Sequence, residues 1–349
     1  IMHNLFIKNE AQGGSDGGVI FCEYFSWPEI RWNVFLNNYA GDDGGAIDSQ
    51  KYSHPKIKYN LFHGNRADGS GGSLHHDDSL MELENNIFAY NAARSHAGAF
   101  GGSHGWIRAV NNTVVYNTVS HEKTGGGAVH HYNTKNPYLK PVFFRNNIFY
   151  GNEPDELFLE NGGDVFHNII QGDFGAAYGA YDMDPKFEPD GLQIEGVGTT
   201  FNSSAFRTRI QIQGIGHLEP GSLKNRILRL KDPLPVDVQV ERRNQDIAEG
   251  QATLTAGDGT QGEAEQYAEM QKSWWSLITD NGAGWIEVWG NLELNESLSM
   301  EVIPTFHLSA NSPAINNGVY SDYASDDIDG QPRYTPTIDF GADEYVPDD

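Results

Sequence analysis

Asn85-Asn86-Ile87-Phe88-Ala89-Tyr90-Asn91 decides how this chain folds, because near-copies of it return on both sides at almost constant spacing. The shared pattern is Asn, any residue, a large apolar residue, two more residues and Asn again. It runs Asn4/Phe6/Asn9, Asn33/Phe35/Asn38, Asn60/Phe62/Asn65, Asn86/Phe88/Asn91, Asn112/Val114/Asn117 and Asn147/Phe149/Asn152. The first Asn residues are 29, 27, 26, 26 and 35 apart, and a weaker copy follows at Asn168/Ile170/Asp173. A fixed period of this size means one supersecondary unit stacked on copies of itself, since a single unit cannot bury its own apolar face.

Each unit carries a second marker, a glycine corner followed by an apolar strand start: Gly17-Gly18-Val19-Ile20, Gly44-Gly45-Ala46-Ile47, Gly71-Gly72-Ser73-Leu74, Ala97-Gly98-Ala99-Phe100 and Gly126-Gly127-Ala128-Val129. A third ladder lies three residues before the repeat Asn, at Ile1, Ile30, Ile57, Leu83, Ala109, Phe144 and Val165. Its charged flanks, Glu29/Arg31, Lys56/Lys58 and Glu82/Glu84, point outward because strand side chains alternate between faces. The pattern predicts a parallel β-helix with three short strands and three turns per coil. Helical and leucine-rich repeats share the period but need patterns absent here. Stacking then places Glu29, Lys56, Glu82 and Arg108 in one column of alternating sign, and stacks the repeated Asn side chains into amide ladders.

These paired Gly-Gly-Ala-Ile-type and Phe-x-x-Asn motifs resemble the right-handed parallel β-helix repeats of secreted bacterial proteins, the polymorphic outer-membrane proteins and pectate-lyase-like chains among them. The likeness covers about residues 1–190. It implies a right-handed solenoid and a secreted or cell-surface location. Tyr181-Asp182-Met183-Asp184-Pro185-Lys186-Phe187 resembles the exit segment of such chains, and Asp327-Ile328-Asp329-Gly330 with Ile338-Asp339-Phe340-Gly341-Ala342-Asp343 resembles their terminal segment.

The composition narrows the rest. The chain has 349 residues, 40 glycines, a formal charge of −25 and a pI near 4.7, which speaks against nucleic acid and anionic membranes as partners. Cys22 is the single cysteine, so neither a disulfide frame nor a cysteine metal site is expected. No apolar run approaches the roughly 18 residues of a membrane span. The sequence opens inside a coil, so its expected partners are preceding coils or other copies of itself, and polysaccharide.

Three regions are expected: coils over 1–190, a small β domain over 191–305 and a segment over 306–349 that packs along the coils and covers their C-terminal end. The 35-residue step is assigned to a loop over Asn133–Tyr138. Alternating runs at Arg226–Leu230, Val236–Val240 and Trp285–Trp289 read as antiparallel strands of the inserted domain, with Gln261–Ser273 as a short helix or loop.

Aligning the glycine corners gathers the chemistry. One column holds Phe21, Asp48, His75, Gly101 and His130, and the next Cys22, Ser49, His76, Gly102 and His131. Two more hold Glu23, Gln50, Asp77, Ser103 and Tyr132, then Tyr24, Lys51, Asp78, His104 and Asn133. The catalytic candidates are therefore Asp48, Lys51, His75, His76, Asp77, His104, His130, His131 and Tyr132, types suited to acid–base work on a sugar. Acidic corners (Asp16, Asp42, Asp43, Asp68) and the tail (Asp326, Asp327, Asp329) offer hard oxygen ligands for calcium. Trp274, Trp275, Trp285 and Trp289 are candidate sugar platforms or core. Two functions are expected of such a chain: an extracellular structural or adhesive module assembling end to end, or a polysaccharide lyase or glycoside hydrolase working in a His/Asp groove.

Overall fold

A computed structural model describes residues 1–120, 126–132, 141–160, 162–172, 180–188, 192–213, 218–224, 226–230, 274–289, 292, 298–303, 305–319, 325–329, 331–333 and 337–345. They form strands and turns with no helix. Contacts divide the chain into two compact units, Ile1–Glu188 with Phe306–Asp349, and Pro189–Thr305.

The first unit is a parallel β-solenoid with four strands per coil, one more than the sequence predicts. The strands stack into four sheets. A charged sheet runs from Glu29–Arg31 to Asp164–Phe166, and a phenylalanine sheet from Leu5–Ile7 to Ala180–Tyr181. A sheet of two-residue strands holds Glu10–Ala11, Tyr39–Ala40, Arg66–Ala67, Ala92–Ala93 and Thr118–Val119. The histidine sheet holds Ile20–Cys22, Ile47–Gln50, Leu74–Asp77, Phe100–Ser103, Val129–Tyr132 and Leu157–Leu159. The two-residue strands are too short to alternate, so periodicity has nothing to register there.

Register follows the repeat. Phe35 pairs with Phe62 and Phe62 with Phe88, and their rings stack at 4.6 and 4.8 Å inside the solenoid. Ile30, Ile57, Leu83, Ala109, Phe144 and Val165 line the opposite interior wall, each at most 1% exposed. Outside, Glu29, Lys56, Glu82 and Arg108 share one column. The closest ion pair of this sheet lies in the adjoining column, Lys58 to Glu84 at 2.8 Å.

Two amide ladders hold the corners. Each Nδ2 donates to the Oδ1 of the next Asn, from Asn4 through Asn33, Asn60, Asn86, Asn112 and Asn147 to Asn168. The second runs from Asn9 through Asn38, Asn65, Asn91 and Asn117 to Asn152, where the Glu156 carboxylate accepts in place of a further amide. The same Oδ1 also accepts the backbone N–H of the preceding ladder member, as Asn86 does from Asn60 at 2.9 Å. Buried polar groups are thereby satisfied at a bend where regular strand pairing stops.

The C-terminal segment lies along the outer face of the phenylalanine sheet. Leu308, Ala314 and Phe340 bury Ile148 and Ile169. Arg333, its side chain 1% exposed, pairs with Glu344 at 3.0 Å and donates to Asn85 Oδ1 at 2.9 Å. Ala342 N–H donates to Thr113 Oγ1.

The second unit is a closed antiparallel barrel of six strands, in the order Leu192–Asn202, Arg207–Gln213, Trp285–Trp289, Trp274–Gly282, Ile227–Leu230 and Leu298–Val302. Ile194, Ile210, Leu228, Ile278, Ile286, Val288 and Met300 form its core. The expected strand at Val236–Val240, the segment Gln261–Ser273 and the loop Asn133–Tyr138 lie outside the described residues.

Candidate active site

Every strand of the histidine sheet begins with an apolar residue pointing inward, so alternation sends the second and fourth residues outward and the third inward. Asp48, His75, Gly101 and His130 therefore form one outer column, and Gln50, Asp77, Ser103 and Tyr132 the other. The corner residues Asp42, Asp43, Gly69, Ser70, Ser95 and His96 rise beside them as a wall. The result is a groove of about 510 Å³ rather than a convex face.

Close packing requires glycine at position 101. Gly101 stands in register between His75 and His130, and a Cβ there would meet the His130 carbonyl oxygen at 2.2 Å. The outer column thus carries no side chain at this coil, where the backbone packs tightly against Ala97 and the next strand.

Two Asp–His pairs bridge successive coils. His75 Nδ1 lies 2.8 Å from Asp48 Oδ1, with Asp48 fully buried and also accepting from Gln50. His104 Nδ1 lies 3.0 Å from Asp77 Oδ1, which the Ser103 hydroxyl also reaches. Burial alone would push the His75 imidazole down, but the Asp48 bond and the charges of Asp48, Asp43 and Asp77 outweigh it and hold it up at about 9. His75 is thus a cation between Asp48 and Asp43, whose Oδ2 is 3.6 Å from its Nε2. His130 goes the other way: burial, then the neighbouring His96 and His131, bring it down to about 4. Its ring meets that of His96 edge-on at 4.3 Å.

The carboxyls separate as well. Asp42 is raised by desolvation and by the like charges of Asp43 and Asp16. Desolvation would raise Asp77 too, but the Ser103 and His104 bonds override it and hold Asp77 below the usual carboxylate range. Both bonds go to Oδ1, so Oδ2 is the oxygen left to take up a proton. Two carboxyls lining one groove with pKa values driven apart are the usual signature of an acid and a base.

Several sequence candidates fall elsewhere. His76 and His131 point into the solenoid, where their rings stack at 5.3 Å across Gly102 and burial keeps both neutral. The corner alignment grouped them with the groove because a column carries no information about which way it faces. Lys51 lies off the groove, bonded to Glu23 and to the Tyr24 hydroxyl. Asp68 accepts from Tyr39 and Arg66. In the tail, Asp327 accepts the N–H groups of Asp329, Gln331 and Glu344, which is turn-forming work. Asp326 gives its carbonyl to Asn85.

Two clusters could hold a cation: Asp16, Asp42 and Asp43, and His307, Asp329 and Asp343, each with donor atoms within 4.8 Å of one another. In the barrel, Trp285 and Trp289 lie outside the core, half-buried under Arg209 and Arg207 at 3.9 and 5.8 Å. Trp274 and Trp275 belong to a barrel strand whose side chains at those positions lie outside the described residues. Sequence reading missed His96 altogether and did not give Asp42 a catalytic role, since corner residues vary from coil to coil and follow no period.

No family model, curated protein or solved structure matches this chain.

Proposed function

We propose that this chain is a carbohydrate-active enzyme of the glycoside hydrolase kind, acting on a neutral glycan in the groove of the histidine sheet. The observation that carries this reading is the opposed pair, Asp42 raised and Asp77 lowered, lining one cavity. Asp77 takes a proton from a water whose oxygen bonds to the anomeric carbon. The bond from that carbon to the leaving oxygen breaks, its electron pair stays with the oxygen, and the oxygen takes the proton of Asp42. Proton exchange with solvent restores both carboxyls. The Asp43 carboxylate, 3.6 Å from the His75 imidazole, is one of the neighbours that raise Asp42.

Charge favours hydrolysis over the lyase alternative. Among the described residues that line the groove there is no Lys or Arg, the His75 cation is already flanked by Asp48 and Asp43, and Asp77 is held below the usual carboxylate range. A uronate polymer would meet net repulsion, at about 4 kcal/mol per unpaired charge at 4 Å near a protein surface. The resemblance to secreted β-helix proteins, pectate-lyase-like chains among them, supports an extracellular setting. Calcium on Asp16, Asp42 and Asp43 is the competing occupant of the same corner.

The test is a screen of neutral and uronate polysaccharides for new reducing ends. Asp77→Asn and Asp42→Asn should each cut turnover of a cleaved neutral glycan by about 10²–10⁴-fold, with unchanged thermal unfolding. Full turnover by Asp77→Asn, or none by the wild type on any glycan, would sink the reading.

One observation favours a second reading, an adhesive surface module that associates with copies of itself. Tyr24, Phe25, Trp27 and Tyr52 stand together at the corner after the histidine sheet, 64, 68, 74 and 65% exposed. A chain that stays monomeric in sedimentation at high concentration would remove self-association.

A further inference from the structure

We infer that the substrate is a chain rather than a small glycoside, and that it runs along the solenoid axis between two aromatic subsites, Phe21 and Phe158. This rests on the reading of the groove as a glycan site and adds its direction and ends.

The outer column of the histidine sheet reads, coil by coil, Phe21, Asp48, His75, Gly101, His130 and Phe158. Its middle is polar and recessed. Its two ends are large aromatic rings in the same register, 46 and 43% exposed, each beside one buried inward neighbour, Cys22 and Leu157. Two exposed Phe rings in the same file as His75 and His130, which line the groove, fit a ligand with apolar faces and polar edges. A pyranose ring has that character, and its hydroxyls match the acceptors Gln50 and Asp77 of the floor and Asp43 of the wall.

Spacing selects a polymer. Five strand-to-strand steps of about 4.8 Å separate the rings, roughly 24 Å in all. A single sugar at the recessed middle could touch neither ring, whereas a chain along the column touches both. Phe158 is also tied to the acid–base region, since its ring meets that of His130 at 4.6 Å, edge-on. Cleavage at the recess would then fall inside the bound chain, which makes the enzyme endo-acting.

The experiment compares Phe21→Ala, Phe158→Ala and the double variant with wild type, using a neutral polysaccharide that the wild type binds or cleaves, and a short glycoside of the same sugar. Retardation in polysaccharide-containing native gels reads binding alone, and product length reads the cleavage pattern. Each single variant should bind the polymer roughly three- to tenfold more weakly, with products shifted in length and a larger loss on the polymer than on the short glycoside. Equal retardation and identical products in all variants would overturn the inference while leaving the hydrolase reading intact. Polymer binding that is lost with Phe21 and Phe158, in a wild type that cleaves nothing, would keep the axial chain site and remove the chemistry. A wild type that neither binds nor cleaves any polysaccharide overturns both. Both side chains are exposed, and unchanged circular dichroism melts confirm that the variants fold.

Discussion

The Asn corners and the outer column of the histidine sheet are built from the same register but obey opposite rules. At the corners the same residue returns coil after coil, and each copy satisfies the one before it. In the outer columns of the histidine sheet no position keeps its residue type, and the groove lies where those unlike residues meet the corner wall. Repetition gives stability because like residues stack, and its interruption gives a site because unlike groups are forced together.

The comparison breaks most readily in the core. Phe88→Ala removes a ring held between Phe62 and Phe100 and should cost about 3–5 kcal/mol, read from urea unfolding. An equal loss from an alanine in the groove column would erase the distinction. Asn86→Ala strips the acceptor from both the backbone and side chain of Asn60, and the donor that reaches Asn112 and Ile57. A loss of about 1–3 kcal/mol is expected for the orphaned buried groups, and no change in glycan turnover. Activity lost in proportion to stability in Asp77→Asn would put the groove on the same footing as the corners.

Acid sharpens the contrast. His76 and His131 are buried neutral inside the solenoid, and His130 in the groove wall is likewise pushed down, His130 and His131 to about 4. A histidine whose folded pKa lies below its unfolded value near 6.5 binds its proton more readily when unfolded. Stability contributed by these rings is therefore present above about pH 6.5 and lost as pH falls toward 4. His75 contributes with the opposite sign: its stabilisation is full below about 6.5 and is lost as pH rises through about 9. Urea midpoints measured from pH 4 to 10 should form a dome, and His131→Leu should flatten its acid side. A flat wild-type profile across the acid range would contradict the buried neutral pair.

The activity profile should be narrower and more acidic than the stability dome. Its acid limb reports protonation of Asp77, and its alkaline limb deprotonation of Asp42. Added calcium should inhibit by occupying Asp16, Asp42 and Asp43 and driving the proton off Asp42. Activation by calcium, reversed by chelation, would instead make that corner a cation site.

The smallest effect belongs to the charged sheet. Arg31→Ala opens its pair with Glu29 on the exposed face, and a change of about 1 kcal/mol or less is expected.

The stacking of coils, the Phe interior and the Asn ladders were legible in the sequence, because a period of about 26 residues forces like residues into files. So were the members of the outer columns, Asp48, His75, Asp77 and His130. Which files face in was not. His76 and His131 look like His75 and His130 until the strand is known to begin with an inward Leu74 or Val129. Nor did the sequence give the fourth, two-residue sheet or His96, and it assigned the acidic corner of Asp42 and Asp43 to calcium rather than to the wall of a groove.

What the sequence determined by itself is the file structure of the solenoid, through local periodicity that any reader can count. Tertiary packing alone decided that one outer file lies in a groove, that position 101 has no room for a side chain, and that Asp42 and Asp77 are shifted in opposite directions. Those properties depend on burial and on distances between coils, which are set only when chain segments far apart in sequence come into contact.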